Sequence, residues 1–341
     1  MNFSPELRRH YEDRTVCVTG GAGFIGSHLV DALVALNARV TVVDDLSNGR
    51  EANLEAVRSR VRFIHASILD TVAMTIALER ASTIFHLAAI ASVPRSVAEP
   101  ELYFTVNAVG TLRVLEAARL KKIPAFIYAA SSSAYGDATQ SPKTESMAPL
   151  PLSPYASAKF AGEHLLRTYC HCYGLTGCSL RYFNIFGPRQ RPDSQYAAVI
   201  PRFISALSGT NESSLQGDGR KPAADNLPVI FGDGTQTRDF TYVENAVLAN
   251  LLAGMHAHSL KGEHLNVACG HSYSLNKLLS EIAGLLHVEP RCTHAPPRVG
   301  EVVHSLADIS LAKRTIGYLP AVDFREGLAR TVAAFQRDAL I

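Results

Sequence analysis

The sequence predicts an α/β protein built on a doubly wound parallel sheet, with a smaller, discontinuous α/β cap. Three observations carry that expectation: short apolar runs that do not alternate, helical patterns between them, and a glycine-rich turn after the first run. The first run is "TVCVT" (15–19), followed by "GGAGFIG" and the helical pattern "SHLVDALVALN". "RVTVVD" (39–44), "VRFIHA" (61–66), "STIFHLAA" (82–89) and "AFIYAA" (125–130) continue the series. "CSLRYFNIFG" (178–187) adds a further strand and its exit loop. Strands that are apolar throughout are covered by helices on both faces.

After Pro188 the texture changes. Residues 208–228 are dense in Gly, Ser, Asn, Asp and Pro and read as a long loop. "FGDGTQTRDFTYV" then places a turn at Asp233-Gly234 ahead of a strand. The expected division is 1–187 for the sheet domain, with late-chain contributions near 236–268, and 188–341 mainly for the cap. The chain carries no internal repeat.

With 341 residues, 47% hydrophobic and 19% charged, the chain has the composition of an ordinary globular protein. A net charge of +2 gives no reason to expect nucleic acid or an acidic membrane as partner. The start, "MNFSPELRRHYEDR", lacks the apolar core of a signal peptide. No stretch approaches the roughly 18 apolar residues of a membrane span. The six cysteines form no C-x-x-C pair, and "CHC" (170–172) falls on a helical pattern where such neighbours face apart. A metal site is not expected. Without a disulfide framework or export signal, the expected location is the cytoplasm.

Gly20, Gly23 and Gly26 form G-x-x-G-x-x-G between the first strand and its helix, which Phe24 and Ile25 open. Glycines there permit a tight turn and close approach of backbone to a pyrophosphate, while the helix N-terminus offers amide donors. Alone the motif is weak, because glycine-rich turns are common. Here the second strand also ends in Asp44, 18 residues beyond Gly26. A carboxylate at that place accepts from a ribose 2′-hydroxyl and repels a 2′-phosphate. The expectation is a Rossmann-like domain that binds NAD rather than NADP.

"SPYASAKFAGE" (153–163) sets Tyr155 and Lys159 four apart in a helical pattern, so both side chains share one face. A phenol with an ordinary pKa near ~10 is a poor base at neutral pH. A neighbouring ammonium and a cationic nicotinamide favour its phenolate. A bare Y-x-x-x-K is also an ordinary surface pair. Its context, an NAD domain and the serine cluster "AASSSAYGD" (129–137) ending the fifth strand, favours a catalytic role.

Together these segments resemble the extended short-chain dehydrogenase/reductase family, in its branch of nucleotide-sugar epimerases and dehydratases. The resemblance runs nearly end to end through "VTGGAGFIGSHL", "HLAA", "SVPRS", "SSSAYGD", "SPYASAKFAGE", "RYFNIFGPRQ", "GDGTQTRDFTYV" and "RVGEVVHSLADIS". "SVPRS", "YAAVIPRF" and "HSLADIS" give a finer similarity to UDP-N-acetylglucosamine 4-epimerases of bacterial surface-polysaccharide pathways, such as those of O-antigen and lipopolysaccharide.

The resemblance implies roles position by position. Tyr155 would be the base, Lys159 would bind the nicotinamide ribose, and Ser131 would assist, with Ser132 beside the sugar. Tyr182 would pack at the nicotinamide. Ile68, Ala88, Ala89 and Asn107 would line the cofactor, and Ser67 stands where the family usually has an adenine-binding aspartate. Ser92 would reach the sugar, and Asn184 the sugar-phosphate. Ala198 and Val199 resemble the uridine-contacting segment, Arg238 and Arg298 the diphosphate clamps, and Glu301 joins the substrate set. The helices beginning near Asn107 and Tyr155 resemble those that pair across a homodimer in this family.

Two absences sort the reaction. Dehydratases of the family carry an Asp-Glu pair where this chain has Ser132 and Ser133, and decarboxylating members carry a glutamate at Ser133. Hydride transfer without a further acid–base pair implies 4-epimerisation of a UDP-sugar through a 4-keto intermediate. Seven residues after Arg298, relatives confined to glucose and galactose tend to carry tyrosine. Ser305 leaves room there for an acetamido group, which implies UDP-GlcNAc and UDP-GalNAc. A UDP-glucose/galactose or UDP-uronic acid epimerase, a net dehydrogenase, and a non-catalytic NAD-sensing protein remain as alternatives.

Overall fold

The six apolar runs pair side by side. In the computed structural model, which describes residues 1–191, 198–209, 227–296 and 303–338, they form β1 (Thr15–Thr19), β2 (Arg39–Asp44), β3 (Val61–His65), β4 (Thr83–His86), β5 (Ala125–Ser131) and β6 (Thr176–Tyr182). Short strands β7 (Ile185–Phe186), β8 (Val229–Phe231), β9 (Thr237–Asp239) and β10 (Thr241–Tyr242) follow. β11 (Lys261–Val267) then returns to the main sheet, while β12 (Ser272–Ser274) and β13 (Thr293–Ala295) pair outside it. The seven-stranded sheet is parallel throughout, in the order β11-β6-β5-β4-β1-β2-β3. The order reverses between β1 and β4, which opens a crevice at their C-terminal ends.

The charged N-terminal stretch holds an element that its composition conceals. α1 (Pro5–Tyr11) starts where Ser4 Oγ accepts from the Leu7 amide and Pro5 occupies the first turn. Helices α2 (Phe24–Ala35), α3 (Thr71–Ala77), α4 (Val93–Ala98), α5 (Pro100–Phe104), α6 (Gly110–Leu120) and α7 (Pro154–Tyr173) connect the strands of the first half. The remainder supplies α8 (Val199–Leu207), α9 (Val243–Met255), α10 (Leu275–Leu286), α11 (Ser310–Ile316) and α12 (Phe324–Asp338). Among the described residues no helix is long and apolar enough to cross a membrane.

Alternate residues of each strand feed two cores. Val16 and Val18 join Leu29 and Leu33 of α2 on one face, and Cys17 joins Val114 and Leu166 on the other. Full burial of one such leucine is worth about 1.5–3 kcal/mol. That is why strand runs so poor in polar residues are stable only when sandwiched. A third core, with Phe186, Phe203, Phe240, Leu278 and Phe324, holds the cap. The expected turn at Asp233-Gly234 is present: Gly234 has φ +79, and Asp233 Oδ1 accepts from the Thr235 amide. The flanking strands do not pair with each other. β8 pairs with β13 and β9 with β12, so the turn joins two separate ribbons.

Candidate active site

Gly20 just after β1, Asp44 at the end of β2 and Ser131 at the end of β5 are residues singled out by the sequence. Gly20 follows β1 with φ +70, and a Cβ there would lie 2.6 Å from the Ala88 nitrogen. A Cβ on Gly26 would lie 2.0 Å from the Gly20 carbonyl oxygen, so only glycine lets α2 start this close to the turn. α2 begins at Gly23 with no side chain capping its first turn, which leaves amide donors directed at the crevice. Asp44 is buried at the end of β2; its Oδ2 accepts from the Ala22 amide and its Oδ1 from the Leu46 amide. Burial pushes this carboxyl up, and the two amides pull it back.

These groups fit NAD: uncapped amides for the pyrophosphate, glycines that keep side chains out of its path, and an oriented carboxylate for the ribose. Gly26→Ala is expected to force the turn open and weaken NAD binding about ten- to hundredfold, from a local overpacking penalty of about 1–3 kcal/mol. Calorimetric titration with NAD checks it; unchanged affinity would show that the loop tolerates a side chain.

The third wall is built by His86, a residue without an assigned role in the sequence reading. Thr111 Oγ1 donates to the Asn107 carbonyl at 2.6 Å, so His86 Nε2–H donates to Thr111 at 3.0 Å. Nδ1 then accepts from Thr19 Oγ1 at 2.7 Å, and Thr19 Oγ1 accepts from the Ala88 amide at 3.4 Å. Burial first, and the Lys159 charge second, hold His86 neutral, at about 3. Asn107 lies in a π-helical turn (Thr105–Val109), and its amide bonds both the N–H and the C=O of Ile90. One imidazole thus fixes Ala88 and Ala89 between the glycine turn and Asn107.

Ser153 starts α7: its Oγ accepts from the Ala156 amide, and Pro154 occupies the first turn. The small residues of "SPYASAKFAGE" allow the helix to press on the sheet. A Cβ on Gly162 would lie 2.3 Å from the Tyr128 hydroxyl, which donates instead to the Lys159 carbonyl. Tyr155 is half-buried at the crevice, with the Tyr103 ring edge-on at 6.3 Å. Burial raises its phenol above the ordinary range, and a hydrogen bond with Ser131 acts the other way. Ser131 Oγ accepts from both the amide and the hydroxyl of Ser133, at 3.2 and 2.8 Å, which leaves its own proton to donate. Ser133 therefore orients the hydroxyl that acts on Tyr155.

Lys159 is buried, and its Nζ sits 4.4 Å from the centroid of the Tyr128 ring. Burial pushes the ammonium down to about 7, with Glu163 opposing. Burial thus favours the neutral form of both the Tyr155 phenol and the Lys159 amine.

The substrate candidates gather in the cap. Asn184, Ala198, Val199 and Arg238 line a cavity of about 250 Å³ together with Phe231 and Gln236, two residues the sequence did not single out. Asn184 adopts φ +38 and donates to the Asp239 carbonyl. Ser305, 9% exposed, donates its amide to the Thr237 carbonyl, next to Arg238. Asp239 accepts from the amides of Cys269, Gly270 and Ala307, and so sews the 303–307 segment to β9. Arg298 and Glu301, and the 208–228 loop beyond its first and last residues, lie outside the described residues.

The other expected cofactor and substrate residues among those described make the following contacts. Tyr182 turns its hydroxyl into the core, where it accepts from Asn250 Nδ2 at 2.7 Å, which leaves its ring for a ligand. Ile68 is buried against Gly110, and Ser67 Oγ accepts from the Leu69 amide. Ser92 caps α4 by accepting from the Arg95 amide, and Ser132 opens the short helical turn after β5.

The NAD dependent epimerase/dehydratase family matches residues 16–268. A UDP-glucose 4-epimerase of Mycolicibacterium smegmatis is 39% identical over 323 residues, which cover 94% of this chain and 97% of that protein. A UDP-N-acetylglucosamine 4-epimerase from Methanobrevibacter ruminantium M1, solved in complex with UDP-N-acetylmuramic acid, superposes with a TM-score of 0.85 at 39% identity, over 96% of this chain and 99% of the other. The UDP-glucose 4-epimerase of Thermotoga maritima, solved with UDP-glucose, gives a TM-score of 0.84 at 35% identity, over 95% and 99%.

Proposed function

The chain belongs to the NAD dependent epimerase/dehydratase family, and from that premise we propose that it is a nucleotide-sugar 4-epimerase acting on UDP-N-acetylhexosamines. The observation that carries 4-epimerisation is the make-up of the catalytic corner. Ser131 hydrogen-bonds the Tyr155 phenol and the Tyr103 ring meets it edge-on, and neither is a carboxyl. Ser132 and Ser133 fill the turn where an eliminating enzyme needs a second acid and base.

NAD, when bound, supplies the acceptor and later the donor of the C4 hydride. Tyr155 takes the proton of the C4 hydroxyl and returns it once the keto-sugar has turned over. Ser131, held by Ser133, donates to the oxygen that carries the transferred charge. Lys159 keeps a positive charge on the same helix face. The Arg238 guanidinium at the cavity suits a diphosphate, and the hydrophobic wall with Phe231 suits a flat base.

The small, buried Ser305 supports the acetamido reading: it sits on a segment bonded to the strand of Arg238, and in this reading the room a tyrosine ring would take there is left for an N-acetyl group. The named relatives divide between glucose and N-acetylglucosamine substrates, so product identification decides. Incubation with UDP-GlcNAc is expected to give UDP-GalNAc, with kcat/KM above that for UDP-glucose. Ser305→Tyr is expected to lower kcat/KM for UDP-GlcNAc about tenfold or more and to spare UDP-glucose. Faster turnover of UDP-glucose by the unaltered protein would overturn the N-acetyl assignment. The exposed apolar residues Phe104, Val109, Leu112 and Leu120 along α5 and α6 support a homodimer through this face, which light scattering tests.

A further inference from the structure

Glu163 is a buried carboxylate that the chemistry above leaves unused. It lies four residues after Lys159 and eight after Tyr155, on the same face of α7. A lysine and a glutamate so spaced are neighbours on a helix and within reach of each other. Here Arg181, reaching from β6, takes both carboxylate oxygens, with Nε at 3.0 and 3.2 Å and Nη2 at 2.8 Å. The side chains of Arg181 and Glu163 are 0% and 5% exposed, and the guanidinium lies 4.7 Å over the Tyr135 ring. Tyr135 donates to Asn266 Oδ1, so the clamp is itself held in place.

We propose that Glu163 is a positioning residue for the Lys159 charge, and that Arg181 keeps its carboxylate one step removed from the ammonium. Negative charge one helical turn away holds Lys159 cationic inside the core. Capture by Arg181 stops the same carboxylate from drawing Lys159 off the Tyr128 ring and out of line with Tyr155. The other groups around Lys159 do not replace it. Tyr128 from β5 meets the ammonium with the face of its ring, and His86 from β4 is neutral. Arg181 from β6 is a like charge, and Tyr103 from α5 faces Tyr155. This proposal rests on the Tyr155–Lys159 reading of the site.

The test uses the full chain with lysine labelled by ¹⁵N, the Lys159 signal being assigned by its loss in Lys159→Met. Glu163→Gln is expected to lower the Lys159 titration midpoint by about one pH unit. The basic limb of the kcat profile moves down with it, a loss of about tenfold at a pH above both midpoints. Glu163→Asp, which keeps the charge, retains the wild-type limb. A merely structural role would lower kcat at every pH without moving the midpoint. If Glu163→Gln does not fold, Arg181→Met, which removes a like charge and frees the Glu163 carboxylate to pair with Lys159, is expected to raise the same midpoint instead. A folded variant with an unchanged midpoint overturns the proposal. Because the midpoint is read by resonance, it stands apart from the catalytic reading, which fails instead if Tyr155→Phe remains active.

Discussion

Tyr155→Phe is expected to lower kcat about 10³-fold, within the range seen when a general acid–base group is removed, while KM and NAD content stay near those of the unaltered protein. Phenylalanine keeps the ring that meets Tyr103 edge-on at 6.3 Å, so the crevice wall is unchanged. What disappears is the oxygen that Ser131 is oriented to act on. Burial raises the Tyr155 phenol, so its ionisation at neutral pH depends on cations brought to it rather than on the solvent. The acid limb of the kcat profile should therefore follow this group and vanish in the variant, leaving a low, flat rate. Chromatographic separation of the two UDP-sugars measures both. A rate within tenfold of the unaltered protein would show that another group carries the proton.

The features legible in the sequence are those fixed by local backbone demands. Gly26 must be glycine because a Cβ would meet the Gly20 carbonyl, and the spacing of Tyr155 and Lys159 follows from the helix pitch. Apolar runs such as "TVCVT" announce a parallel sheet covered on both sides, while the order of its strands comes from the structure. What stayed hidden depends on tertiary placement. Glu163 and Arg181 are 18 residues apart on different elements, and nothing in either segment signals that they pair. Ser133 acts on Ser131 only because the chain turns helically right after β5. His86 acquires its partners from β1 and α6, 67 and 25 residues away. In the cap, the Asp-Gly pair gives the turn at Asp233-Gly234, but the partners of β8 and β9 come from later segments. Strands as short as these carry too few residues to specify their pairing.

Lys159→Met is expected to lower kcat about 10²- to 10³-fold and yet to raise the thermal stability of the cofactor-free protein. The buried ammonium has its pKa lowered from 10.5 to about 7, chiefly by burial, so the folded chain binds the proton more weakly than the unfolded chain does. Below pH 7 both states carry the proton, and folding bears the full cost of burying it. Between pH 7 and 10.5 the folded state releases it first, and stability rises with pH. Methionine removes this cost while keeping an unbranched chain on the Tyr128 face, where its sulfur makes a favourable contact. No orphan charge is left behind, because Glu163 stays bonded to Arg181. The gain should be about 1–3 kcal/mol at pH 7, or roughly 1–4 °C in Tm, and should shrink toward zero by pH 10. Scanning calorimetry across that range checks the slope, and a lower Tm at pH 7 would show that the lysine is held for folding. A variant with a stronger fold and a disabled reaction would mark Lys159 as a residue retained for its charge and not for stability.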